Sequence, residues 1–362
     1  MPISLIPSFF GIIAGILVLF AGGELFVAGS TALALLLGIP QIVVGLTVVS
    51  VGTSAPELFV SLSSLLRGGA AVDIASSNVV GSNIFNILVV LGLSSLVMPL
   101  RVQSRLVRRD VPLLVAISMA VWGMASSGRV TWQAGLALLV GLVMNLVWES
   151  RTAREHPEEA HVEVEELQDR STTLMAGLKL GLGLVLLVVG SQVLVWGASG
   201  AATVLGVSKT LIGLTIVAAG TSMPELVTSL VAAYRGQTDL AIGNVVGSNL
   251  LNLLLILGVC GLASGETGLP VNALMVNRDF PVMLVTTLAC LPIFWTRGVI
   301  TRREGGILFG CYVVYLIEQL LSSSRSGALD EFRLVVVVLL LPLLLVFLTS
   351  EAIRWRRKRL RA

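Results

Sequence analysis

Long apolar runs separated by short polar segments make up most of this chain. Runs of 18 or more mostly apolar residues recur along it, and each is long enough for a helix to cross a bilayer. The pattern predicts eleven spans, near residues 9–31, 42–66, 74–98, 111–127, 130–148, 174–198, 208–233, 240–263, 279–296, 304–321 and 333–353. The sequence lacks the alternation of apolar and polar residues that is typical of a membrane β-barrel. We therefore predict an all-α polytopic membrane protein that lies in a lipid bilayer.

Composition supports this class. Hydrophobic residues make up 55% of the chain, the mean hydropathy is +0.95 and only 12% of residues are charged, whereas a soluble domain carries about 25%. The three cysteines lie in apolar stretches without a CxxC pair and are typical of small buried hydrophobes. A nucleic-acid partner is not expected, because the basic residues have a membrane explanation.

The two halves of the chain repeat each other. Residues 45–67 match residues 213–235 at an offset of 168, and residues 73–92 match residues 239–258 at an offset of 166. Since five spans is an odd number, the second repeat must enter the membrane from the opposite side, as in many secondary transporters. The predicted plan is a first inverted repeat at 1–148 (motif at 45–92), an acidic cytoplasmic loop at 149–173, a second repeat at 174–321 (motif at 213–258), and an extra span with a basic tail at 322–362.

Basic residues predict the orientation. With the N-terminus outside, 18 of the 24 Lys and Arg residues fall in cytoplasmic segments, which is a strong positive-inside bias. The C-terminal tail is then cytoplasmic, and we expect a prokaryotic plasma (inner) membrane.

Each repeat carries the pattern Gly-Thr-Ser-x-Pro-Glu, at 52–57 and 220–225, and then Asn-Val-Val-Gly-Ser-Asn, at 78–83 and 244–249. A glutamate in mid-membrane is costly and is by default functional. Pro56 and Pro224 remove a backbone donor and clash with the preceding turn. We therefore predict a kink in each of these spans, next to a cavity or to buried protein.

The side chains near these kinks are typical ligands for a hard cation. Ca²⁺ takes six to eight oxygen ligands, and the pattern contains no soft ligand that copper or zinc would favour. Thr53, Ser54 and Glu57 are spaced to share one helical face. Glu24 has only Gln192 as its counterpart, and both a supporting and a purely structural role stay open. The candidate ligands are Glu57, Glu225, Thr53, Ser54, Ser82, Thr221, Ser222, Ser248, Asn86 and Asn252.

On these residues the chain resembles the cation/calcium exchanger superfamily, and most closely its prokaryotic sodium/calcium exchanger branch, over residues 1 to about 321. The resemblance implies two inverted five-helix repeats, with a core of the second, third, seventh and eighth spans and a sliding bundle of the first and sixth. It implies exchange of Ca²⁺ for Na⁺ by alternating access, without a cofactor. It also implies that Glu57 and Glu225 bridge the ion, and that the carbonyls of Ser50 and Ala218 join the side-chain ligands above.

Asn252 departs from the family pattern, because well-studied sodium/calcium exchangers have Asp at this position. The site then carries at most two negative charges, so Ca²⁺/H⁺ antiport, or exchange of another cation such as K⁺ or Mn²⁺, stays open. The eleventh span also lies outside the family's ten-span plan. An enzyme is not expected, because HExxH and GxSxG are absent and no His or Cys lies near the motif. A passive channel is a further alternative that the sequence leaves open.

Overall fold

The fold consists almost entirely of helices. The computed structural model describes residues 5–68, 72–155, 170–206, 216, 218–323, 327–340 and 342. In this part of the chain seven helices are long and apolar enough to cross a membrane, and one bent pair raises the number to eight. The helices of the first repeat are α1 (Leu5–Leu37), α2 (Gln41–Thr53), α3 (Ala55–Arg67), α4 (Val72–Val97), α5 (Val111–Ala125) and α6 (Trp132–Glu155). Those that follow are α7 (Arg170–Val204), α8 (Ala218–Thr221), α9 (Met223–Tyr234), α10 (Thr238–Ala263), α11 (Phe280–Arg297), α12 (Arg302–Ser323) and α13 (Leu329–Val335).

The helices follow the ten predicted spans of the two repeats in order. The span predicted at 208–233 is represented by α8 and α9, and residues 207–215 and 217 fall outside the described residues. α6 continues to Glu155 rather than ending at 148, so its last turns lie in the segment predicted as a loop. The extra span predicted at 333–353 is described only through residue 340 and at 342, so it stays a prediction.

α1 and α7 pack against each other along a seam of glycines that recur every seventh residue. A methyl group added at any of these glycines would lie within 2.8 Å of an atom in the opposite helix. Small residues let membrane helices approach this closely, and α1 and α7 therefore form one tightly packed pair. The glycines of the seam are Gly15, Gly22 and Gly29 in α1 and Gly183, Gly190 and Gly197 in α7.

Two short antiparallel strand pairs show that the repeats are inverted. β1 (Leu100–Arg101) pairs with β4 (Val299–Ile300), and β2 (Arg129–Val130) pairs with β3 (Leu269–Pro270). β1 and β2 lie at opposite ends of α5, and β3, the repeat counterpart of β1, pairs with β2. Equivalent connections of the two repeats therefore lie at opposite faces of the membrane, as the odd number of spans predicts.

The second span of each repeat is broken, as the prolines predict. α2 and α3 meet at an angle of 42°, and the break falls at Ser54, whose φ and ψ are −81° and 1°. Ser222 separates α8 from α9 with nearly the same angles, −90° and 9°. Pro56 and Pro224 lie in the first turn of the helix that follows, where a missing N–H costs no helical hydrogen bond.

Each repeat contains a largely buried ionic cluster between its last two spans. Arg105 and Arg109 both pair with Glu149 of α6, which is buried, and Arg109 also pairs with Asp110 at 2.8 Å. Glu149 therefore belongs to a helix and not to a solvated acidic loop. In the second repeat Arg278 bonds Asp279 at 2.8 Å and lies 3.4 Å from Glu318 of α12. Each cluster joins the start of the fourth span to the end of the fifth.

Candidate cation-binding site

The two helix breaks meet α4 and α10 at the centre of the molecule. In α4 and α10, 83% of the most apolar stretch is buried, against 28% in α1. Glu57 and Glu225 lie in the first turns of α3 and α9, and each is only 1% exposed. The partial positive charge at a helix N-terminus favours a carboxylate there, so the breaks help to hold both glutamates in the interior.

Serines from the breaks connect each glutamate to the other repeat. Ser54 donates to Oε1 of Glu225 at 3.2 Å, and Ser222 donates to Oε1 of Glu57 at 2.9 Å. The Ser222 hydroxyl also lies 3.1 Å from that of Ser82 in α4. The sequence predicts that Ser54 shares a helical face with Glu57, and the structure shows that the Ser54 hydroxyl bonds the glutamate of the other repeat. Both glutamates thus belong to one cluster built by both halves.

Thr53 and Ser50, in the last turn of α2, lie beside this cluster. The Thr53 hydroxyl lies 3.5 Å from that of Ser248. Ser50 donates from its side chain to Gly45, and its carbonyl accepts from the Ser54 amide at 2.9 Å and from Thr53 at 3.4 Å. The Thr53 hydroxyl would have to turn away before the Ser50 carbonyl could face a cation. The equivalent Ala218 begins α8, and its side chain is not among those described.

Asn86 and Asn252 lie one helical turn beyond Ser82 and Ser248, on the same helix faces. Both are fully buried, and neither the oxygen nor the nitrogen of either amide has a hydrogen-bond partner among the described residues. Oε2 of Glu57 and Oε2 of Glu225 are likewise unpaired there. Because unpaired buried polar atoms cost about 1–3 kcal/mol each, these four side chains are poised to bind something polar.

A π-helical turn begins at each of these asparagines. α4 contains the turn Asn86–Leu91 and α10 the turn Asn252–Ile256. Such turns shift the backbone hydrogen-bond pattern and occur frequently at functional sites. Periodicity arguments on the sequence assume 3.6 residues per turn and do not reveal them.

Two further asparagines support the site, and our sequence analysis did not include them among its ligands. Asn78 donates to the carbonyl of Glu57 at 3.3 Å and to Ser61 at 3.1 Å, and it accepts from Thr221 at 3.4 Å. Asn244 makes the equivalent bonds to Glu225 at 3.3 Å, to Ser229 at 3.0 Å and from Thr53 at 3.1 Å. Each amide therefore ties the backbone of a glutamate in its own repeat to a threonine of the other repeat. The occurrence of asparagine at this position in both repeats was the feature of the sequence that could have identified them.

The geometry suits a hard cation. Hydrogen bonds from Ser54 and Ser222 join each carboxylate to the helix break of the other repeat, and neither carboxylate has an ion-pair partner among the described residues. No cluster of three or more His, Cys, Asp or Glu side chains occurs in the part of the chain that is described. Besides the two glutamates, the groups that converge here are neutral hydroxyl and amide oxygens. Glu24 lies apart from them and pairs with Arg235.

Inverted repeats around a buried carboxylate cluster define this chain as a membrane protein of the secondary-transporter class. The family model described as sodium/calcium exchanger protein matches residues 7–150 and 176–321, and the chain belongs to this family. It is 37% identical over 311 residues to a relative from Alkalimonas amylolytica provisionally named antiporter CaxA, covering 84% of this chain and 96% of the relative.

Two further comparisons agree with the family and the fold. The inner membrane protein YrbG of Escherichia coli (strain K12) is 33% identical over 312 residues, with 84% of this chain and 94% of YrbG covered. A solved structure of the sodium-calcium exchanger NCX_Mj matches with a TM-score of 0.75 and 28% identity, covering 87% of this chain and 99% of that one. The two-repeat architecture predicted from the sequence is confirmed.

Proposed function

We propose that this chain is a secondary antiporter that exchanges Ca²⁺ for Na⁺ across the membrane by alternating access. The observation that carries the proposal is the crossed pairing of Ser54 with Glu225 and of Ser222 with Glu57. It supports a single site made of two carboxylates and hydroxyls from both repeats, in the middle of the predicted spans. Oxygen ligands of this kind are those that Ca²⁺ and Na⁺ share. The ligand set proposed is the one predicted from the sequence.

The charge of the site bears on the counter-ion. Asn252 stands where a third carboxylate would complete the charge, so the site carries two negative charges at most. Two charges balance one Ca²⁺, two Na⁺ or two protons. Ca²⁺/H⁺ antiport is therefore the second candidate, and exchange of K⁺ or Mn²⁺ is the third.

We further propose an inner-membrane location with the N-terminus outside and the C-terminus in the cytoplasm. The basic residues support this orientation through the positive-inside rule. The description of the relative YrbG as an inner membrane protein supports the location.

Uptake of isotopic calcium into proteoliposomes tests the exchange. One set of vesicles has an outward Na⁺ gradient at equal pH, and a second has an outward proton gradient without Na⁺. Uptake driven by Na⁺ is the expected result. Uptake driven only by the proton gradient would show that H⁺, and not Na⁺, is the counter-ion. If neither gradient drives Ca²⁺ uptake, that result would contradict Ca²⁺ exchange and favour another cation.

Asn252→Asp is expected to change the charge moved per calcium. With two carboxylates, exchange of one Ca²⁺ for two monovalent cations moves no net charge, so the wild type should give little current on a solid-supported membrane. A third carboxylate favours a third monovalent cation, and the variant should then give a clear counter-ion-dependent current. A wild-type current that depends on three Na⁺ per Ca²⁺ would show that the two-charge argument is wrong.

Asn78→Leu and Asn244→Leu are each expected to raise the KM for Ca²⁺ about tenfold, with a smaller effect on the maximal rate. Leucine has nearly the same shape as asparagine but cannot hold the threonine of the other repeat, and a hydrogen bond of this kind is worth about 1 kcal/mol or somewhat more. Asn272→Leu is the matched control, because Asn272 is exposed and its side chain bonds only the Met275 amide among the described residues. An unchanged KM in both site variants would show that the two asparagines do not support the cation site.

A further inference from the structure

One ion pair joins the α1–α7 pair to the core of the molecule near one membrane face. Glu24 of α1 pairs with Arg235, which directly follows α9, and the two side chains are 44% and 35% exposed. The pair lies away from the cation-binding centre, since α9 runs from Glu225 in its first turn outward to Arg235.

The repeat-equivalent contact cannot form an ion pair. At the offset of 168 that aligns the repeats, Glu24 corresponds to Gln192 and Arg235 corresponds to Arg67. Gln192 and Arg67 are both exposed. An amide carries no charge, so this element of the repeat is electrostatically one-sided.

The packing around the ion pair is one-sided in the same sense. α1 covers α9: a methyl group at Gly23 would lie 2.9 Å from Val227, and Val227 is only 6% exposed. Phe59 of α3 is the repeat equivalent of Val227, and it is 74% exposed. The structure therefore shows the α1–α7 pair placed over α9 and not over the equivalent surface of α3.

Inverted repeats connect this asymmetry to two access states. In such proteins, access alternates as one bundle moves relative to the other around a fixed site. α9 lies between the site and the face at which Arg235 lies, so α1 covers the route to that face. In the opposite state, the symmetry-related arrangement brings α7 over α3 and Gln192 toward Arg67.

We infer that the Glu24–Arg235 ion pair is a latch that biases the exchanger toward the state closed at the Arg235 face. The inference rests on the proposed alternating-access function. A contact made in only one of two states shifts their populations by its own strength, and an exposed ion pair of this kind is worth up to about a fivefold shift. The equivalent Gln192–Arg67 contact provides no matching bias toward the other state.

The test compares the two membrane faces in the full-length protein. Calcium uptake is measured in right-side-out and inside-out vesicles, so that each face is exposed in turn. The apparent affinity at a face is proportional to the fraction of molecules open to that face. Glu24→Gln should therefore lower the KM for Ca²⁺ at the Arg235 face about two- to fivefold, and Arg235→Gln should do the same.

Gln192→Glu is the symmetry-matched variant. It creates the missing ion pair with Arg67 in the state open at the Arg235 face, so it should shift the ratio of the two KM values in the same direction as Glu24→Gln. The double variant with Glu24→Gln and Gln192→Glu should reverse the wild-type ratio of the KM values at the two faces. Combining Glu24→Gln with Arg235→Gln should add nothing to either single change, because both remove the same contact. Glu266→Gln, at an exposed site in a short turn, serves as the control and should leave the ratio unchanged.

Three outcomes decide the matter. A lower KM at the Arg235 face for both Glu24→Gln and Gln192→Glu supports the latch. Normal uptake with no shift, or with the two variants shifting the ratio in opposite directions, overturns the latch and leaves the proposed function intact. Absence of calcium uptake by the wild type in both vesicle types overturns the proposed function and the latch together.

Discussion

Glu57→Gln and Glu225→Gln are each expected to lower the rate of Ca²⁺ transport about a hundredfold or more. Each change removes one of the two negative charges at a buried site, where loss of one partner of a charge pair costs about 3–5 kcal/mol. The neutral amide keeps the shape of the side chain and the hydrogen bond from the serine of the other repeat. The initial rate of isotopic calcium uptake, measured near the wild-type KM, checks the prediction.

Glu304→Gln is the control for these variants. Glu304 is also buried, at 5% exposed, but it lies at the start of α12, where its carboxylate accepts from the Thr301 amide at 2.7 Å. A glutamine oxygen can accept that bond, so transport should stay near the wild-type rate. Near-normal flux in either site variant would show that the two glutamates do not hold the transported ion.

Gly183→Val is expected to destabilise the protein more than any other change we propose outside the site. A methyl group at Gly183 would lie 2.4 Å from the backbone nitrogen of Phe26, and a backbone atom cannot move aside as a side chain can. α1 and α7 must then separate along their glycine seam. Overpacking of this kind costs about 1–3 kcal/mol and occasionally more, so the thermal unfolding midpoint in detergent should fall by several degrees.

Gly181→Val provides the matched control in the same helix. A methyl group at Gly181 has no neighbour within 4 Å among the described residues outside the backbone of its own helix, so the same chemical change should leave the unfolding midpoint nearly unchanged. Equal midpoints for the wild type, Gly181→Val and Gly183→Val would show that the seam does not hold the two helices together.

Hydropathy and the internal repeat were sufficient to predict the ten spans of the two repeats, their inversion and the broken second helix of each repeat. Apolar length reports directly on membrane crossing, and Pro56 and Pro224 weaken the helix just after Gly52 and Gly220. The strand pairs and the breaks at Ser54 and Ser222 confirm these predictions. The identity of the ligands and of the counter-ion stays a proposal.

The partners across the repeats could not be predicted in the same way. Which serine bonds which glutamate depends on how two distant helices pack, as with Ser54 of one repeat and Glu225 of the other. The π-helical turns at Asn86 and Asn252 are also invisible to a period of 3.6 residues. The support from Asn78 and Asn244 needed tertiary contacts, although their repetition in both halves marked them as candidates.

If the two repeats build one cation site together, they should bind a single Ca²⁺. Equilibrium dialysis of the purified protein against isotopic calcium, in buffer free of Na⁺, measures this number. We expect one Ca²⁺ per wild-type chain and none for either Glu57→Gln or Glu225→Gln in the same concentration range. Two Ca²⁺ per wild-type chain, with one retained by each variant, would mean that each repeat binds its own ion and would contradict the account.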